Sequence, residues 1–115
     1  MKELGRQLVV ELWECERNTN EPEEIRKALR RAVDRAKATL VDVQVHTFNP
    51  HGVSGVAVIA ESHISVHTWP ELGYVALDVF TCGEKVLPEA AVEVFCELFR
   101  PQRTSLLEIK RGIQL

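Results

Sequence analysis

The spacing of apolar residues changes several times along the chain, and each change marks a new element. Leu4 to Trp13 is a run of mostly Leu and Val that predicts a strand. Asn18-Thr19-Asn20-Glu21-Pro22 then offers a turn, a cap and an early-helix proline. A helix is expected over Glu23 to Ala38, where Ile25, Leu29, Ala32, Val33 and Ala36 form one apolar stripe. Leu40 to Phe48 returns to strand character, and Asn49-Pro50-His51-Gly52 is a turn. From Val53 the β-branched residues dominate, and further on Ile64 and Val66 alternate with His63, Ser65 and His67. That period of two predicts a half-buried central strand with both histidines and Ser65 on one face.

After Pro70-Glu71-Leu72-Gly73, Tyr74 to Thr81 predicts another strand. Pro88 and Glu89 open a second helix with Val92, Phe95, Leu98 and Phe99 inward, Pro101 ends it, and Arg103 to Lys110 can close the sheet. The resulting order, β-α-β-β-β-α-β, predicts an α+β fold: a two-layer sandwich of a mainly antiparallel sheet with two helices on one face. Its other face would expose Trp13, Val56, Val58 and Val75 or their strand neighbours, and such an apolar surface needs a partner.

Composition narrows the class. A chain of 115 residues is one domain (1–115), large enough to fold without disulfide or metal. The formal net charge of −3 gives no polyanion footprint, and Arg26-Lys27 and Arg30-Arg31 are interleaved with carboxylates on a helix, so no nucleic acid partner is expected. No apolar run approaches the roughly 20 residues of a membrane span and the N-terminus lacks a signal-peptide core, so no membrane partner and a cytoplasmic location are expected. Cys15, Cys82 and Cys96 are odd in number and show no paired spacing, which fits reduced thiols.

The central stretch is dense in chemistry for a strand. Within 53–71 it carries Ser54, Ser62, Ser65, His63, His67, Glu61, Glu71 and Trp69. Histidines four apart would grip a metal from a helix, but in a strand they stand roughly 13 Å apart at about 3.3 Å per residue, so no metal site is expected. Alone, Ser62 would read as a solvent-facing strand serine and Cys82 as a small buried hydrophobe.

Together the motifs say more. Glu61-Ser62-His63, His67-Thr68-Trp69-Pro70-Glu71 and Thr81-Cys82-Gly83-Glu84 stand at offsets that resemble the prokaryotic S-adenosylmethionine decarboxylase proenzymes. The resemblance runs from Leu4-Gly5-Arg6 through Glu11-Leu12-Trp13 to Lys110-Arg111-Gly112, nearly the whole chain. It implies self-cleavage into 1–61 (β chain) and 62–115 (α chain), with Ser62 as the nucleophile on the Glu61 carbonyl and the source of a covalent pyruvoyl cofactor. It implies His67 as the proton shuttle of processing and Ser54 as its supporting hydroxyl. A pyruvoyl ketone forms a Schiff base with a substrate α-amine and accepts the electrons left by carbon dioxide. Cys82 is the implied proton donor, since a thiol is mainly protonated at neutral pH yet transfers its proton readily. The acyl shift itself is expected to proceed without that thiol.

For substrate binding the resemblance points to Phe48 and Trp69, which can stack on adenine or attract a sulfonium, and physics agrees that flat bases stack and cations seek ring faces. Glu71 can accept ribose hydroxyls, His63 can contribute to substrate binding, and Glu11 can reach the substrate amine. The alternatives at these positions are a core phenylalanine, a buried tryptophan and a strand glutamate in solvent. A homodimer is implied, its two sheets facing each other and both subunits lining each site; two-fold dimers are also the commonest assembly. Gln7 departs from the pattern, standing where histidine is expected, and cannot titrate. The implied activity is decarboxylation of S-adenosylmethionine for spermidine synthesis. Arginine or ornithine decarboxylation on the same scaffold, and a ligand-binding domain that never cuts itself, are the alternatives.

Overall fold

The structure, a computed structural model, describes residues 2–114, so the chain ends at Met1 and Leu115 lie outside the described residues. Six strands and two α-helices follow in the order β1 (Gly5–Cys15), α1 (Pro22–Arg35), β2 (Leu40–Thr47), β3 (Val53–Ile59), β4 (Ser62–Trp69), β5 (Tyr74–Cys82), α2 (Pro88–Phe99) and β6 (Pro101–Arg111), with a 3₁₀ turn at Pro70–Leu72. The strands form one sheet in the order β2-β3-β4-β5-β1-β6, and every neighbouring pair is antiparallel. The α+β architecture matches the sequence reading.

The expected single central strand is two strands. Ile59 pairs with Ser62, so Ala60 and Glu61 turn the chain and Ser62 begins the return. No glycine or asparagine marks this turn; Ser62 itself takes the positive backbone angle, φ 139°. The cap of α1 also differs: Glu21 occupies it without a side-chain bond, Thr19 Oγ1 accepts from the Glu21 amide, and Asn20 Oδ1 accepts from the Gly52 amide. The helix begins one residue earlier and ends three residues sooner than expected.

Alternation along the strands sends one set of side chains toward the helices and the other to an open face. Leu8, Val10, Leu12, Ile64, Val66, Leu77 and Val79 join Ile25 and Leu29 of α1 and Phe95 and Phe99 of α2 in one buried core. Val75 belongs to this set at 2 % exposure, which corrects its expected place on the bare face; Tyr74 and Ala76 stand there instead. On α2, Ala91 and Val94 are buried with Phe95 and Phe99, whereas Val92 and Leu98 are only partly covered. Gly55 lets α1 close on β3, because a Cβ there would sit 2.8 Å from Leu29 Cδ1. Arg6 ties the sheet to α2 by pairing with Glu89 and with Glu108 of β6.

The open face carries Val56 and Val58 of β3, His63, Ser65, His67 and Trp69 of β4, and Asp78, Phe80 and Cys82 of β5. From β1 it takes Gln7, Val9, Glu11 and Trp13, and from β6 Leu107 and Ile109. Among the described residues no helix is long and apolar enough to cross a membrane.

Candidate active site

The functional residues gather at two places on the open face, at opposite ends of β4. At the start of β4, the turn at Ala60–Glu61 is tied from both sides. Thr39 receives the Ala60 amide on its carbonyl oxygen at 2.9 Å, and its own amide and hydroxyl donate to the Glu61 carboxylate at 3.0 and 3.3 Å. From β5, Cys82 donates twice to the Glu61 carbonyl oxygen: the backbone N–H at 3.0 Å and the thiol at 2.9 Å. A carbonyl that accepts two convergent donors is polarised toward attack, the logic of an oxyanion hole. The thiol therefore bears on this peptide bond, a contact beyond the proton-donor role expected for Cys82.

Ser62 follows that carbonyl in a strained conformation. A non-glycine residue at φ 139° costs on the order of 1–3 kcal/mol, and such strain persists where the surroundings over-determine it. The same twist carries the Ser62 hydroxyl to 3.3 Å from His63 Nδ1. His63 Nε2 lies 3.4 Å from Asp78 Oδ2, Gln7 donates to Asp78 Oδ1 at 2.7 Å, and Arg111 donates to Gln7 Oε1 at 3.1 Å while its guanidinium rests 4.7 Å over the Phe80 ring. Asp78 and Arg111 escaped the sequence reading because only the β4-β5-β1-β6 register brings them here. The short spacing of Asp78 before Cys82 was their one available signal. Beside them, Leu4, Gly5, Phe80, Cys82, Arg111 and Gly112 line a pocket of about 220 Å³.

The far end of β4 holds the other expected residues. Ser54 Oγ and His67 Nδ1 are 2.8 Å apart across the β3-β4 pair. They open onto a pocket of about 320 Å³ that Phe48, His51, Trp69 and Glu71 also line. Phe48 is 52 % and Trp69 39 % exposed, so neither is a core residue. Trp69 leans on Tyr74 at 5.2 Å, and Tyr74 stacks on Trp13 at 4.2 Å. Tyr74 donates to Glu11 at 2.6 Å; burial first, and then that bond, push its hydroxyl up to about 12, so it stays a donor at physiological pH. Glu11 is thus engaged by Tyr74 rather than free in solvent. His51 pairs with Glu71 at 3.1 Å.

Ser62 and His67 are five residues apart on one strand, roughly 16 Å at about 3.3 Å per residue, too far for proton transfer within a chain. The structure thus joins Glu61, Ser62, His63 and Cys82, separately joins Ser54, His67, Phe48, Trp69 and Glu71, and does not join the two sets. Cys15 and Cys96 stand apart from both; burial pushes the Cys15 thiol up to about 11 and raises that of Cys96. Among the described residues no group of three or more His, Cys, Asp or Glu is placed to hold a metal ion.

The family model described as S-adenosylmethionine decarboxylase matches residues 6–112. The chain belongs to that family. It is 53 % identical over 114 residues to the S-adenosylmethionine decarboxylase proenzyme of Thermomicrobium roseum, covering 98 % of this chain and 97 % of that one. It is 50 % identical over 114 residues to the proenzyme of the same name from Methanococcus vannielii, covering 98 % and 93 %. The fold matches the crystal structure of the adenosylmethionine decarboxylase from Aquifex aeolicus VF5 with a TM-score of 0.92 and 34 % identity, over 100 % of this chain and 96 % of that one. Members of the S-adenosylmethionine decarboxylase family are carboxy-lyases, and the designation proenzyme implies that they are processed.

Proposed function

We propose that this chain is a self-processing S-adenosylmethionine decarboxylase that cuts itself between Glu61 and Ser62 and keeps a pyruvoyl group at residue 62. The observation that carries the reading is the Glu61 carbonyl, held by the Cys82 amide and thiol directly before a strained Ser62. In processing, the Ser62 hydroxyl attacks the Glu61 carbonyl carbon; the C–N bond breaks and an ester replaces the amide. Elimination then releases the Glu61 carboxylate, and hydrolysis of the remaining enamine leaves a ketone and ammonia. The two donors of Cys82 stabilise the oxygen that becomes negative in the first step.

The residues around position 62 fit a pyruvoyl group: a hydroxyl precursor, carbonyl donors, and a thiol within reach. When formed, that group supplies an electron sink for decarboxylation. Cys82 returns a proton to the substrate carbon, and its thiol already faces this point of the chain. The adenosyl part of the substrate is held by Phe48 and Trp69, with Glu71 accepting from the ribose and Glu11 and His63 near its amino-acid end.

The 16 Å gap between the two ends is closed by a second copy. In a homodimer with the open faces together, Ser54 and His67 of one copy meet Ser62 of the other, and a two-fold axis makes both junctions at once. The half-exposed apolar side chains of that face, Val58, Leu107 and Ile109 among them, supply the burial. The product, decarboxylated S-adenosylmethionine, serves as aminopropyl donor for spermidine in the cytoplasm. The test is intact mass under denaturing conditions: wild type should give chains 1–61 and a pyruvoyl-blocked 62–115, and Ser62→Ala one uncut chain. A Ser62→Ala protein that still splits at this bond would overturn the reading.

A further inference from the structure

The cleavage end contains a hydrogen-bonded series that the implied roles of His67 and Ser54 leave unused. It runs from Ser62 Oγ to His63 Nδ1 (3.3 Å), from His63 Nε2 to Asp78 Oδ2 (3.4 Å), from Asp78 Oδ1 to Gln7 Nε2 (2.7 Å), and from Gln7 Oε1 to Arg111 (3.1 Å). Adjacent residues of a regular strand point to opposite faces and do not meet. Ser62 and His63 meet because Ser62 takes φ 139°. The strain that opens β4 thus places an imidazole on the hydroxyl that must attack.

We infer that His63 is the base that takes the Ser62 proton during the acyl shift, within the same chain, and that Asp78 and Gln7 are its positioning residues. The inference rests on the processing reading above. Asp78 accepts from His63 Nε2–H, which leaves Nδ1 with its lone pair toward Ser62, the tautomer a base requires. Gln7 holds the other Asp78 oxygen by an N–H that cannot be titrated away, and Arg111 fixes which way the Gln7 amide points. The replacement of the expected histidine by Gln7 is accordingly a neutral support in this chain. The contacts of His63 are longer than an optimal bond, as catalytic hydrogen bonds often are before the reaction begins.

The step balances without an outside reagent. The Oγ–H proton passes to His63 Nδ1 as the Oγ–C bond to Glu61 forms, and the Glu61 C–N bond breaks as His63 gives that proton to the departing Ser62 nitrogen. The Glu61 oxygen stays on the Cys82 donors throughout. His67 of a second copy is left for the proton transfers that follow the ester.

The experiment follows cleavage of the full chain during cell-free synthesis, with thermal unfolding as a check on folding. His63→Ala should slow the appearance of 62–115 by about 10²-fold or more, the usual worth of a positioned base, and added imidazole should restore part of the rate. Hydroxylamine, which splits esters faster than amides, should release no extra 1–61 from it, because the ester has not formed. His63→Gln, which can still donate to Asp78 but cannot take the proton, should behave the same way and keeps the test open if the alanine variant fails to fold. Asp78→Asn should slow cleavage by a smaller factor, about tenfold, and imidazole should not restore it. Wild-type cleavage by a folded His63→Gln chain, or hydroxylamine release of 1–61 from it, would overturn the inference. Ser62→Ala separates the two levels: if it too is cut, the processing reading fails, whereas an uncut Ser62→Ala beside a fully active His63→Gln removes His63 alone.

Discussion

The two ends of β4 differ in what they can do unaided. At Ser62 the backbone is strained, the preceding Glu61 carbonyl has two donors, and an imidazole touches the hydroxyl. At His67 the strand continues in register, Ser54 and His67 satisfy each other, and nothing in their own chain offers a bond to break. One end carries the strained junction beside a pocket of about 220 Å³; the other is a pocket of about 320 Å³ with aromatic walls. The two sets of residues lie apart within one chain, and the proposed symmetric pairing is what would bring them together.

Removing His67 should break this comparison most. His67→Ala should lower processing by about 10²–10⁴-fold although the residue lies far from Ser62 along its own strand, as measured by the fraction of cut chain over time. Cys82→Ala comes next. It keeps the backbone donor to Glu61 and loses the thiol, so cleavage should slow by about 10²-fold yet reach completion. The cut protein should then fail to protonate its product correctly and lose turnover. Cleavage at the wild-type rate would show that the thiol contact to Glu61 carries no weight.

Much of the comparison is legible in the sequence alone. Alternation placed His63, Ser65 and His67 on one face, and the helical stripe of Ile25, Leu29 and Val33 marked the layer that buries the other. The turn at Ala60–Glu61 left only a faint trace, the five-residue spacing from Ile59 to Ile64 that breaks the period of two, because no glycine, asparagine or proline marks it; Thr39 and Cys82 hold the turn in which serine takes the unusual φ. Of the alternatives on β5 the strand neighbours of Val75, and not Val75 itself, face outward, and a one-residue slip in a strand exchanges its faces. The His63–Asp78–Gln7 series depends on strand order, which local pattern does not encode. The split of the site was hidden for a related reason: motif offsets count residues, whereas separation on a strand grows by about 3.3 Å with each of them.

Two smaller effects sharpen the far end. Trp69→Ala should weaken S-adenosylmethionine binding by about 1–3 kcal/mol, if stacking here resembles that at nucleic-acid sites, with cleavage of the chain little changed. Glu71→Gln should cost less, since an amide oxygen still accepts a ribose hydroxyl. Both are read from carbon dioxide release with labelled S-adenosylmethionine, arginine and ornithine. Faster release from arginine or ornithine would contradict the substrate and leave the cleavage chemistry standing.

The most direct measurement is complementation between two damaged chains. Ser62→Ala and His67→Ala chains are produced together, and the masses of all fragments are determined under denaturing conditions. If each site joins Ser62 of one copy to His67 of the other, random pairing gives about half of the His67→Ala chains a partner with intact His67. That half should appear as 1–61 and a 62–115 fragment bearing the His67→Ala mass, while the Ser62→Ala chain stays whole. His67→Ala chains that remain as uncut in the mixture as they are alone would contradict the shared site.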